Sequence, residues 1–256
     1  MGNFVQIMRR DNVDYFCLTD PGKIRDHNED SVAIVSNESL EYLLAVADGM
    51  GGHRAGEIAS SITINHLTKS FKEKETIGTK EEAIHFLKQA VSEANEKIYA
   101  YTEENPESKG MGTTIVVALL TENYLLFGNI GDSSGFVLKH GKIHKITTDH
   151  TLVNLLVKSG ELTEEEAKEH PRKNVLMRAL GANTTVEMDI FDVETDVEGI
   201  LLCSDGLTNM LEFEQIEKVL NEKIDAQEMV RKLINKSNDR GGNDNISVAY
   251  LKRGVS

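Results

Sequence analysis

Four aspartates occupy matching places in the sequence. Asp48 ends the apolar run "LLAVA", Asp132 follows "LLFGNIG", Asp205 follows "GILLCS", and Asp244 stands just before "ISVAYL". A charge set against a buried strand is costly unless it is paired or bound to a metal. Oxygen donors of this kind suit hard cations such as Mg²⁺, Mn²⁺ or Ca²⁺. Zinc fits poorly, because the eight histidines form no metalloprotease-type pair and the two cysteines lie far apart. The calcium-loop pattern of alternating acids closed by Glu is absent as well.

Other readings of these segments compete. An Asp-Gly pair is the commonest hairpin signal. Asp48-Gly49 and Asp205-Gly206, however, each run from a strand into a helical pattern, which a two-residue hairpin does not fit. Asp132 is followed by another strand, and there a turn reading stays open. Gly51 and Gly56 have the spacing of a phosphate loop, but Glu57 stands where Lys is needed and would repel phosphate. The dinucleotide pattern fails at Arg54, which takes the third glycine position.

The stretch "KIRDHNED" supplies Arg25, Glu29 and Asp30. Arg25 suits a planar, bidentate anion such as phosphate, although the segment taken alone reads first as a solvated charge cluster. "KGMGTTIVV" opens a buried strand with Gly112 and two threonines, which says that backbones pass closely there.

The elements that must hold these residues follow from periodicity. "DYFCLTD" and "EYLLAVAD" read as strands, the second central because it is almost continuously apolar. Arg54 to about Phe71 has helical spacing, and Glu81 to about Tyr101 is a clearer helix with Ala83, Phe86, Leu87, Ala90, Val91 and Ile98 on one stripe. Asn105-Pro106 ends it. "TTIVVALL", "NYLLFGNI", "GFVLK" and "KIHKI" are strands separated by short turns. Between His150 and Leu180 the period changes to short helices broken at Gly160, with a capping box from Thr163 to Glu166. "VEMDIFDV" and "GILLCSD" return to strand, "FEQIEKVLNE" and "AQEMVRKLINKSN" are helices, and "NISVAYL" is a closing strand. The sum is an α+β fold on antiparallel sheet. One domain over residues 13–253 is the economical reading, with residues 1–12 a flexible tail.

Composition narrows the function. A net charge of −14 argues against phosphate-backbone binding, and 5% aromatics with no Trp leave no stacking platform, so nucleic acid is not an expected partner. No apolar stretch approaches the roughly 20 residues a membrane span needs. No signal-peptide pattern opens the chain, and an acylation signal would need Ser or Thr at Gln6. A cytoplasmic, monomeric protein is the expectation. Cys17 and Cys203 lie inside apolar runs and read as buried reduced thiols.

Taken together, "RDHNED", "VADGMGGHRAGEIAS", "GMGTT", "IGDSS", "CSDGLTNML" and "GGNDNISVAYL" resemble the metal-dependent Ser/Thr protein phosphatases of the type 2C family, in particular its bacterial branch. The pieces appear in family order. The resemblance implies a four-layer αββα sandwich, two antiparallel sheets flanked by helices, with a dinuclear Mn²⁺ or Mg²⁺ centre at one end. In that likeness Asp48 bridges both ions and Gly49 offers its carbonyl. Asp205 and Asp244 complete the ligand set, and Asp132 joins Asp205 around a third ion. Glu29 holds metal-bound water, Arg25 grips the phosphate, and residues of about 150–180 form a flap. The implied activity is hydrolysis of phosphoserine and phosphothreonine on proteins by a metal-bridged hydroxide, opposing a cytoplasmic Ser/Thr kinase.

Two positions depart from the family pattern. Met50 stands where the eukaryotic branch has a His proposed as general acid, with His53 nearby as a guess for that role. Ser134 replaces the Arg of the usual "GDSR". A catalytically silent module on the same fold and a small-molecule phosphohydrolase are the competing functions. The first would have lost ligands, and the second would prefer metabolite phosphates to phosphopeptides.

Overall fold

The structure, a computed structural model, describes residues 13–51 and 54–254. The proposed N-terminal tail and His53 therefore lie outside the described residues. In chain order the strands are β1 (Val13–Asp20), β2 (Ser31–Ser36), β3 (Tyr42–Ala47), β4 (Gly49–Met50), β5 (Gly112–Thr113) and β6 (Ile115–Leu120). They continue with β7 (Leu125–Ile130), β8 (Ser134–Lys139), β9 (Lys142–Lys145), β10 (Asp189–Val193), β11 (Gly199–Cys203) and β12 (Ile246–Arg253). The helices are α1 (Ala55–Lys72), α2 (Lys80–Glu104), α3 (Leu152–Lys158), α4 (Glu164–Glu169), α5 (Asp205–Thr208), α6 (Phe213–Leu220) and α7 (Ala226–Asp239).

Ten strands make two antiparallel five-stranded sheets, ordered β1-β12-β11-β8-β9 and β10-β7-β6-β3-β2. The α+β sandwich is thus the observed architecture. Alternation along each strand builds three hydrophobic layers. Leu44, Val46, Val116, Phe127, Ile200, Leu202 and Ala249 pack between the sheets. The opposite residues of β3 and β6, among them Leu43, Ala45, Val117 and Leu119, meet Leu67, Phe71, Leu87 and Val91 of α1 and α2. Leu201, Val248 and Tyr250 likewise meet Ile216, Met229 and Leu233 of α6 and α7. With both faces covered, β3, β6, β7 and β11 have every residue buried, which is why they read as continuous apolar runs.

The α2 helix opens on a capping box in which Thr79 and Glu82 satisfy each other's backbone amides, and it closes at Asn105. Thr163 and Glu166 do the same for α4. Local periodicity does not reveal β2. "SVAIVS" is a half-buried edge strand between serines, and only its register against β3 makes it strand. The β4–β5 ladder, with Gly49 opposite Thr113 and Met50 opposite Gly112, also depends on a pairing 63 positions or so away in sequence (roughly a domain quarter), beyond local periodicity. Cys17 and Cys203 are buried free thiols, as expected. No helix among the described residues is long and apolar enough to cross a membrane.

Candidate active site

Loop ends of both sheets deliver the aspartates to one place. Asp48 leaves β3 and is held by its backbone. Its N–H donates to Thr114 Oγ1 at 3.0 Å, and its carbonyl accepts from the Thr114 N–H and the Thr113 hydroxyl, both at 2.9 Å. This clamp is the work of the two threonines after Gly112. Thr114 Oγ1 also lies 2.8 Å from Ser133 Oγ, which ties the Asp48 loop to the turn carrying Asp132.

Gly49 lets α1 approach. Its N–H donates to the Glu29 carbonyl at 3.2 Å, and a Cβ built on it would lie 2.2 Å from the Gly56 carbonyl oxygen and 2.4 Å from that of Glu29. Only glycine permits this contact. Ser60, one turn further along α1, donates to the same Glu29 carbonyl at 2.6 Å.

Asn245 stitches the other side. Its Oδ1 accepts from the Glu29 N–H at 2.9 Å, while its Nδ2 donates to the carbonyls of Pro21 and His27. Arg25 Nη2 donates to Asp244 Oδ2 at 2.9 Å across 219 positions of sequence. All seven residues singled out in the sequence, Arg25, Glu29, Asp48, Gly49, Asp132, Asp205 and Asp244, are therefore in one neighbourhood.

The electrostatics of that neighbourhood are strained. Burial raises the Asp48 carboxyl well above its ordinary pKa, and Asp30, Asp205, Asp132 and Asp244 push it further. Burial, then Asp205 and Asp149, raise Asp132 to about 7. Asp205 is raised by burial and by Asp244, and the Asp48 carboxyl stands within hydrogen-bonding reach of it. Asp205 Oδ2 accepts from Asn209 Nδ2 at 3.0 Å, but its Oδ1 is buried with no donor among the described residues. Among the described residues no three acidic, imidazole or thiol side chains already close on one point at ligand distance. The donor set nevertheless fits hard cations: it is all oxygen, its members repel one another, and the buried Asp205 Oδ1 lacks a partner among the described residues.

Sequence reasoning left two residues without a role. Asp30 is 6% exposed and raised to about 7, by burial first and then, against the lowering effect of Ser204 and Ser247, by Asp205 and Asp244. Ser204 Oγ donates to its Oδ2 at 2.7 Å, and its Oδ1 has no partner among the described residues. Its place next to Glu29 in "RDHNED" was the available signal. His150 is the second. Gly131 N–H donates to its Nδ1 at 3.1 Å, so its Nε2 carries the proton toward Asp189 Oδ2, also at 3.1 Å. Arg178 holds the other Asp189 oxygen at 2.7 Å. His150 thereby ties the turn before Asp132 to both ends of the 150–180 excursion, whose Met177 N–H donates to the His150 carbonyl. Ser134, which departs from the expected "GDSR" pattern, is buried at the start of β8 opposite Cys203.

The model of the family described as protein phosphatase 2C matches residues 24–248. The chain belongs to that family. Like the family's members, this protein phosphatase has close relatives along nearly its whole length. A serine/threonine phosphatase stp of Listeria monocytogenes is 41% identical over 239 residues, covering 93% of this chain and 95% of that protein. The S. agalactiae serine/threonine phosphatase superposes with a TM-score of 0.89 at 37% identity, covering 94% of this chain and 99% of that one. The catalytic domain of the phosphatase PstP, solved in complex with two manganese ions, gives 0.81 at 35% identity over 95% of this chain and 99% of that one.

A stability prediction arises from the acids. The folded pKa values of Asp30 and Asp132, about 7, exceed the ordinary 3.8. Their contribution to the stability of the phosphatase is then fully present below about pH 4 and is lost as the pH rises through about 7. In EDTA, the melting temperature is expected to fall by several degrees between about pH 5.5 and 8, and added Mn²⁺ should cancel most of that fall. A chelated protein that melts at one temperature across this window would contradict the cluster's mutual repulsion.

Proposed function

We propose that this protein phosphatase hydrolyses phosphoserine and phosphothreonine on proteins with the help of divalent cations, Mn²⁺ or Mg²⁺, and opposes a cytoplasmic Ser/Thr kinase. The observation that carries the reading is the cluster of mutually repelling aspartates, with a buried oxygen on Asp205 that has no hydrogen-bond partner among the described residues. Asp48, the Gly49 carbonyl, Asp205 and Asp244 would hold two ions, with Asp132 and Asp205 around a third and Glu29 holding water beside them. Bound there, hard cations lower the pKa of water toward neutrality and offset charge on the transferring phosphoryl group. The names of the relatives, serine/threonine phosphatases, and the two manganese ions in PstP support the same substrate class and metal.

The remaining residues have assigned tasks. Arg25 is exposed at the rim, and its planar fork is free to leave Asp244 Oδ2 for two phosphate oxygens. Glu29 is raised by burial above its ordinary pKa, which favours holding a proton near the attacking water. Asp30 lies behind the ligands, where Ser204 orients it. No covalent nucleophile takes part. Burial pushes the Cys17 thiol up to about 11 and the Cys203 thiol up to about 12, so neither is a thiolate at neutral pH.

The test is hydrolysis of a phosphothreonine peptide. Mn²⁺ should stimulate turnover, and EDTA should lower it by at least about 100-fold, reversibly on adding excess Mn²⁺. Turnover that persists in EDTA would exclude the metal mechanism. Values of kcat/KM higher on metabolite phosphates than on phosphopeptides would favour a small-molecule phosphohydrolase instead.

A further inference from the structure

We infer that a groove along the outer face of α1 docks an acidic segment of the phosphoprotein substrate; this rests on the protein phosphatase reading and adds a rule of substrate choice to it. Arg54, Ile58, Ile62 and Lys69 of α1 and its cap, with Lys97 of α2, line a groove of about 650 Å³. The near four-residue spacing of the α1 positions puts them on one face of the helix. Ile58 and Ile62 are half-buried against the core beneath and form an apolar floor.

The charge of the groove opposes that of the molecule. The chain carries −14, yet the lining has three permanent cations against one acid, Glu57. Among the described residues Arg54, Lys69 and Lys97 form no ion pair, although Lys97 feels the field of Glu93 one turn before it. His66, the other titratable lining group among the described residues, is engaged by Glu93 at 2.9 Å. An acidic peptide is repelled by most of this surface and attracted here.

The groove also begins at the catalytic end. Glu57 lies close enough to Glu29 to raise its pKa, and Ser60 of the same helix holds the Glu29 carbonyl. From Arg54 to Lys69 the helix rises about 22 Å at ~1.5 Å per residue. An extended peptide covers that length in about seven residues. Lys97 sits part-way, one turn from the Glu93–His66 contact, and Lys69 marks the far end. Acidic residues roughly three to seven positions from the phosphoresidue would reach these two lysines.

The experiment compares phosphothreonine peptides that differ only in this tail, acidic or neutral, placed on either side of the phosphoresidue. In Mn²⁺ the native protein should show about 10-fold higher kcat/KM on one acidic-tailed peptide, carried by KM and erased by high salt. The double variant Lys69→Glu, Lys97→Glu, at exposed helical positions, should lose that preference. It should keep native turnover of the neutral peptide and of p-nitrophenyl phosphate. An unphosphorylated acidic peptide should compete with the acidic-tailed substrate and leave p-nitrophenyl phosphate hydrolysis unchanged. No acidic preference in the native protein, or an equal loss on all three substrates in the variant, would overturn the inference while leaving the phosphatase reading intact. So would a variant that changes only the sedimentation of the protein, since the groove would then belong to a second copy of the chain. Failure of the native protein on every phosphopeptide would remove the phosphatase reading itself.

Discussion

Asp48→Asn is expected to lower Mn²⁺-stimulated turnover of a phosphothreonine peptide by about 1,000-fold or more while raising the melting temperature of the metal-free protein. The two effects have one cause. Burial, and then its neighbours Asp30, Asp205, Asp132 and Asp244, raise the Asp48 carboxyl well above its ordinary pKa. Asn keeps the shape and removes the charge, so the chelated protein loses a repulsion that it otherwise carries near neutral pH. The same change removes the anion proposed to bridge two ions, so Mn²⁺ should no longer raise the melting temperature, and calorimetry should detect weaker binding. A simple folding defect would lower the melting temperature in EDTA, which separates it from this outcome. Native turnover together with a native Mn²⁺ response would mean that Asp48 is not a ligand.

Gly49→Ala should damage both the fold and the activity. The new Cβ would meet two backbone carbonyls, Gly56 O at 2.2 Å and Glu29 O at 2.4 Å, and neither belongs to a side chain that can swing away. Relief requires α1 to move off the two loops that carry Glu29, between β1 and β2, and Asp48, after β3. A cost of about 3 kcal/mol is expected from such overpacking, with at least a 100-fold loss of kcat as a rough scale for misplacing the site by about 1 Å. Gly110→Ala is the control. Gly110 has φ +88, but a Cβ there meets nothing within 4 Å, so only the backbone term of about 1 kcal/mol applies. Thermal melts and peptide kinetics on the two variants check this directly. Equal effects would show that the close approach of Gly49 and Gly56 is unimportant.

The parts of the site that were legible before the fold was known are those encoded within a dozen residues. An aspartate closing an apolar run, a glycine after it and a helical pattern beyond are local, and Asp48, Gly49 and Asp205 are found that way. The strongest strands were legible for a related reason, because β3, β6, β7 and β11 are buried on both faces and need no alternation. β2 was missed because its strand character comes from pairing with β3 and packing on α1 at the sheet edge. Asp30 was named but given no part, since nothing in "RDHNED" says that Ser204, 174 positions away, will bury and orient it.

By itself the sequence determined the family, the α+β class, the order of the longer helices and fully buried strands, and the candidate residues for metal chemistry, because each is carried by short patterns of residue type and spacing. Tertiary structure alone decided the pairings between distant segments. It set Arg25 on Asp244, joined Asn245 to the Glu29 loop, and used His150 to tie the Asp132 turn to the 150–180 segment. It also placed Arg54, Lys69 and Lys97, which form no ion pair among the described residues, along one groove. The physical reason is that burial, mutual repulsion and charge complementarity depend on distances through space, and these exist only once both sheets and their helices have packed.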